Sequence, residues 1–165
     1  VEADGLEEDI WMQTYPKKGV PRIVSAFGPH LVLEGYGCDP MALACQDTVR
    51  LYLEQAPARL GMTAVMPPYV MEYHGKVPED WGITGFVIIA ESHIAIHTFP
   101  AKRFMTLDIF SCKEFDENAA ILGVQAIFGF EYHKHKLLGR GLEFPRAVRP
   151  VADHLLKLGV FVCLH

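Results

Sequence analysis

Three strand-like runs with almost nothing between them constrain this chain most. GFVIIAE (Gly85–Glu91), HIAIHTF (His93–Phe99) and FMTLDIFSC (Phe104–Cys112) follow one another almost directly. Connections that short cannot hold a crossover, so neighbouring strands must pair antiparallel, as a meander. HLVLEGYG (His30–Gly37) reads as another strand, and EYHKHKLL (131–138) as a further one. TAVMPPYVMEYHG (Thr63–Gly75) reads as an interrupted strand whose Pro pair favours a sheet edge. KVPEDWG after it reads as a loop.

Two segments have helical spacing. Asp39-Pro40 is a strong start, because Asp caps and Pro at the first helical position loses no needed hydrogen bond. Met41, Cys45, Val49, Tyr52, Leu53 and Ala56 then recur on one face, and Pro57 is expected to end or kink the helix. Asp116 is a good cap for a second helix over DENAAILGVQAIFGF, and PVADHLLKLGVF reads as a short C-terminal helix. Strands on one side of two main helices give an α+β fold, a two-layer sandwich with an antiparallel sheet.

A chain of 165 residues, half hydrophobic and 21% charged, suits one globular domain. We expect an arm or linker remnant over residues 1–28, rich in Pro, Gly and charge, and a domain over 29–165. A net charge of -5 argues against nucleic acid as partner. No apolar run is long enough to cross a bilayer, and the acidic start VEADGLEEDIW is unlike a signal peptide. The expectation is a cytoplasmic protein with a small-molecule partner. Cys38, Cys45, Cys112 and Cys163 form no CxxC pair, so reduced, buried thiols are the default. His74, His93, His97, His133 and His135 fit no zinc spacing, so no metal is expected.

The stretch AESHIAIHTFP (Ala90–Pro100) places a carboxylate, a hydroxyl and two imidazoles within seven residues. In an unbroken strand Ser92 and His97 would point to opposite faces. His93 and His97 share a face but sit about 13 Å apart at strand rise. A useful geometry therefore needs a sharp turn at Glu91-Ser92, with Ser92 at the corner. A hydrolase nucleophile is one reading, but its GxSxG elbow is absent. Self-processing is another. There the Ser hydroxyl attacks the preceding carbonyl and the peptide becomes an ester. A base then removes the Ser α-proton, elimination frees the new C-terminus, and the dehydroalanine left behind hydrolyses to a pyruvoyl group. That chemistry needs strain, a base and an oxyanion donor close together. A satisfied polar strand end is the plain alternative.

GITGFVIIAESHIAIHTFP, followed by FMTLDIFSC, resembles the bacterial and archaeal S-adenosylmethionine decarboxylase proenzymes, in order over about residues 28–135. The resemblance implies cleavage between Glu91 and Ser92, with Ser92 becoming the pyruvoyl cofactor. It implies His97 as processing base and Cys112 as the acid that protonates the product carbanion. Thr84 stands where the family has a Ser that assists processing. The pyruvoyl ketone would form a Schiff base with the substrate's amine and act as electron sink. The family also implies a homodimer of cleaved protomers, a four-layer assembly.

Three departures from the family pattern fall among the adenosyl contacts. Phe99 replaces a Trp, and Ala101 replaces a Glu that binds ribose hydroxyls. Lys76 aligns with an adenine-stacking aromatic, with Trp81 as a substitute ring. Losing a carboxylate–diol pair or a stacked ring removes about 1–3 kcal/mol each. Glu79 and Asp80 in the same loop offer carboxylates to a distal cation. These departures favour a basic amino acid, L-ornithine or L-arginine, as substrate, with S-adenosylmethionine as the alternative. A second alternative is a homologue that never cleaves at its intact Ser92 and acts as a binding partner.

Overall fold

The computed structural model describes residues 26–144. The expected C-terminal helix and nearly all of the expected arm lie outside that range. The described chain runs β1 (Gly28–Tyr36), α1 (Pro40–Ala44), α2 (Gln46–Arg59), β2 (Tyr69–Tyr73), β3 (Gly82–Ile89), β4 (Ser92–Phe99), β5 (Phe104–Ser111), α3 (Glu117–Phe128) and β6 (Tyr132–Arg140). The strands form one sheet in the order β2-β3-β4-β5-β1-β6, and every pairing is antiparallel. The meander β3-β4-β5 is its centre, and β2, with its preceding Pro pair, is an edge.

Alternation decides which face is covered. Leu31 and Leu33 on β1, Ile83 and Val87 on β3, Ile94 and Ile96 on β4, and Leu107 and Ile109 on β5 are buried. They pack with Leu43, Val49, Leu53, Ala120, Val124 and Phe128 of the helices in one core. Each Leu or Ile removed from water there stabilises the fold by about 1.5–3 kcal/mol. Thr98 ties the layers together. Its Oγ1 donates to the Leu43 carbonyl (2.8 Å) and accepts from the Ile83 amide (2.8 Å). The opposite face carries the other parity, and among the described residues no helix lies over it. Tyr69, Met71, Phe86 and Ile88 are exposed on it.

The first helix differs from expectation. It is two helices, broken at Cys45, whose φ of -95° and ψ of 109° are extended. The break shifts the helical phase, so Met41 is 77% exposed and Leu43 is buried in its place. Cys45 is also exposed, and only Val49, Tyr52, Leu53 and Ala56 keep the expected inward face. Pro57 does not end α2. It lies buried in the last turn, and the helix runs on to Arg59. The second main helix follows its expected signals. Asp116 Oδ1 accepts from the Ala119 amide (3.0 Å), and Gly129 closes the end at φ 60°.

Candidate active site

The turn between β3 and β4 is two residues long, Ala90-Glu91, one position earlier than expected. Two-residue hairpins usually need positive φ within the loop, met by Gly or Asn. Here the positive φ falls on Ser92 instead, at 156°. That value lies at the edge of a region that Gly alone enters freely. A second segment clamps the corner. The Ala90 amide donates to the Thr63 carbonyl (2.8 Å), and the Thr63 amide donates to Glu91 Oε2 (3.1 Å).

Ser92 has the parity of buried Ile94, yet its Oγ lies 3.1 Å from Nδ1 of His93, which has the parity of the open face. Side chains next to each other on a regular strand diverge, so the distorted corner is what permits this contact. The carbonyl of Glu91, the residue before Ser92, accepts a hydrogen bond from the backbone N–H of Cys112 (2.9 Å). Gly28 makes that approach possible. A Cβ there would stand 1.9 Å from the Ser111 carbonyl oxygen and 2.6 Å from Cys112 Cα. Cys112 itself is exposed, just past the end of β5. Cys38, the buried thiol, is pushed up to about 11 by desolvation, which keeps it protonated and inert. The expectation of buried thiols therefore holds for Cys38 and not for Cys45 or Cys112.

The other end of β4 holds a second group. His97 pairs in register with Thr84 of β3, and its Nδ1 lies 3.1 Å from Thr84 Oγ1. A cavity of about 300 Å³ opens beside them, lined by Tyr73, Asp80, Gly82, Thr84, His97, Thr98 and Phe99. Five residues along a strand separate Ser92 from His97 by about 16 Å. Within one chain the structure does not bring them together.

The residues marked as substrate contacts scatter. Phe99 and Asp80 line the cavity, whereas Lys76 and Glu79 are exposed and outside its lining. Trp81 stacks on His74, rings 6.0 Å apart and 11° from parallel, rather than lining the cavity. Asp80 forms an ion pair with Lys102. Sequence reasoning missed three contributors. Tyr73 lines the cavity because β2 pairs it with Gly82. The Cys112 amide carries no side-chain signal, and the spacing of His93 to His97 and to the other imidazoles gives no hint of its contact with Ser92. Among the described residues no group of three metal-binding side chains occurs.

Known proteins share this sequence pattern and fold. A sequence model described as S-adenosylmethionine decarboxylase matches residues 29–141. The S-adenosylmethionine decarboxylase proenzyme of Pyrococcus furiosus is 34% identical over 122 residues, 73% of this chain and 83% of that protein. The proenzyme of Methanococcus aeolicus is 39% identical over 87 residues, 53% of this chain and 69% of that protein. The crystal structure of the adenosylmethionine decarboxylase from Aquifex aeolicus superposes with a TM-score of 0.60 at 24% identity, covering 71% of this chain and 92% of that one, which shows a shared fold. The chain belongs to the S-adenosylmethionine decarboxylase family, whose members are pyruvoyl-dependent decarboxylases made as proenzymes.

Proposed function

We propose that this chain cleaves itself between Glu91 and Ser92 and then decarboxylates S-adenosylmethionine. One observation carries the reading. The carbonyl that Ser92 must attack already accepts the Cys112 N–H at 2.9 Å, beside a residue at φ 156°. A fixed donor on that oxygen stabilises the charge that develops there as the tetrahedral centre forms. A pyruvoyl group at position 92 would sit at the same corner, next to the exposed Cys112, and supplies the electron sink for loss of CO₂ from the substrate's α-carbon. Cys112 then returns a proton to the product carbanion, a step that suits a thiol because it gives one up and regains it near neutral pH.

His97 and Thr84 complete the site from a second copy of the chain. Their hydrogen-bonded pair is about 16 Å from Ser92 of the same chain but lies on the face of His93, which no described helix covers and toward which the Ser92 hydroxyl turns. A two-fold axis through the middle of β4 brings the Ser92 end of one copy against the His97 end of the other. Such an isologous contact uses one patch twice and leaves neither half alone. His97 then removes the Ser92 α-proton during processing, and Tyr73 and Phe99 wall the cavity that receives the adenosyl group.

The basic-amino-acid substrate favoured by the loop carboxylates loses its support. Asp80, the one carboxylate in the cavity lining, is already neutralised by Lys102. A substrate cation entering there would meet a paired acid. Tyr73 offsets the missing aromatic, and the relatives' names point to S-adenosylmethionine. Purified protein should therefore run as two fragments under denaturing conditions, ending at Glu91 and beginning at position 92. It should release CO₂ from S-adenosylmethionine and not from ornithine or arginine. A single uncleaved band after long incubation removes the self-processing reading, and CO₂ from ornithine or arginine alone reverses the choice of substrate.

A further inference from the structure

We infer that His93 is the base that activates Ser92 in the first step of cleavage, the acyl shift from nitrogen to oxygen. This rests on the self-processing reading and adds a catalytic residue to it. His93 Nδ1 is 3.1 Å from Ser92 Oγ, a direct route for the hydroxyl proton to leave. His97 is held by Thr84 at the far end of the same strand, so within one chain His93 is the imidazole at the nucleophile. Its ring is half-buried and meets Phe110 edge-on, centres 6.0 Å apart at 64°. Phe110 is its cross-strand partner, and the Arg140 guanidinium carbon lies 4.1 Å from the centre of that ring. The imidazole is thus packed in place rather than free to swing into solvent.

The step balances without a co-reactant. With its own proton on Nε2, His93 accepts the Ser92 hydroxyl proton at Nδ1 while Oγ bonds to the Glu91 carbonyl carbon. The oxyanion rests on the Cys112 N–H. The carbon–nitrogen bond then breaks, and His93 returns the proton to the departing Ser92 amine. The products are an ester of Glu91 on Ser92 Oγ and a free amine, with His93 as it began. His97 acts only afterwards, on the α-proton of that ester.

The test follows newly translated full-length chain by denaturing electrophoresis, with and without hydroxylamine, which cleaves esters. We expect His93→Ala and His93→Gln to slow cleavage by about 10²-fold, within the usual range for a lost general base. They should accumulate no hydroxylamine-sensitive ester, and added imidazole should restore part of the His93→Ala rate. His97→Ala should by contrast build up the ester. The inference is overturned if both His93 variants cleave within about threefold of wild type. It is equally overturned if they accumulate ester, or if His93→Ala melts like wild type and imidazole gives no rescue. Failure of the wild-type chain to cleave at Glu91/Ser92 instead strikes the self-processing reading itself, so the two failures are distinct.

Discussion

The Ser92 end and the His97 end of β4 are built from different materials. At Ser92 the geometry is backbone: a two-residue turn, a positive φ, the Cys112 amide on the Glu91 carbonyl, and a clamp from Thr63. At His97 it is side chains around a cavity: Thr84, Tyr73, Asp80 and Phe99. The departures that bear on the substrate lie toward the second end. Thr84, Phe99 and Asp80 line its cavity, and Lys76 and Ala101 follow Tyr73 and Phe99 of that lining in sequence, whereas Glu91, Ser92 and Cys112 keep the residues of the family pattern. The contrast has a physical basis. Bond cleavage needs atoms fixed to fractions of an ångström, and backbone hydrogen bonds supply that. A pocket recognises its ligand by area and charge, so a ring lost at one position can be offset from a neighbouring strand, and Tyr73 of β2 lines the cavity here.

Ser92→Ala should have the largest effect and abolish cleavage altogether. Mass spectrometry of a chain that still splits at residue 91 would refute the role of the hydroxyl. Next in size is a mixing experiment. Without hydroxylamine, Ser92→Ala and His97→Ala chains should each run essentially as one piece. Co-expressed, they should yield cleaved His97→Ala chains, because one composite site per mixed dimer is intact. No recovery in a verified mixed dimer means that the two ends do not meet across subunits.

Cys112→Ala separates backbone from side chain at one residue. The Ala keeps the N–H that holds the Glu91 carbonyl, so cleavage should persist. Decarboxylation should fall by about 10²–10⁴-fold with the proton donor gone, read as CO₂ release by the cleaved enzyme. A smaller effect belongs to the other end. Phe99→Ala removes one wall of the cavity and should raise KM by about tenfold, some 1–2 kcal/mol, while leaving cleavage unchanged. Smallest is a pH effect at His30, beside the Ser92 end. Burial lowers its pKa below 6.5, against the pull of Asp108. As pH falls, the unfolded chain takes up this proton first, so stability is present above pH 6.5 and lost below it. Thermal melts of His30→Gln should show a shallower decline on the acid side than wild type.

The meander, the capped helix over Glu117–Phe128 and the edge position of β2 were legible because each depends on neighbours in sequence. Alternation, cap chemistry and a Pro pair act over a few residues. The helix break at Cys45 was not legible, since it serves the fit of Leu43 against Thr98, 55 residues away. Parity alone showed that Ser92 and His97 need a distortion. It did not show that the turn sits at Ala90-Glu91, nor that the distortion turns Ser92 toward His93 and leaves His97 far off.

The sequence by itself determined the antiparallel sheet with helices on one face, the Ser92 corner and the reaction family. Those follow from residue type and spacing, which the chain states locally. Tertiary structure alone decided what surrounds them. The hydrogen-bond donor on the Glu91 carbonyl is a backbone amide 21 residues further on, delivered by strand pairing beside a glycine of β1. The loop carboxylate that looked ready for a substrate cation is claimed by Lys102 from the turn after β4. A hydrogen bond from an amide and the neutralisation of a charge depend on which segments lie side by side, and only the folded chain sets that.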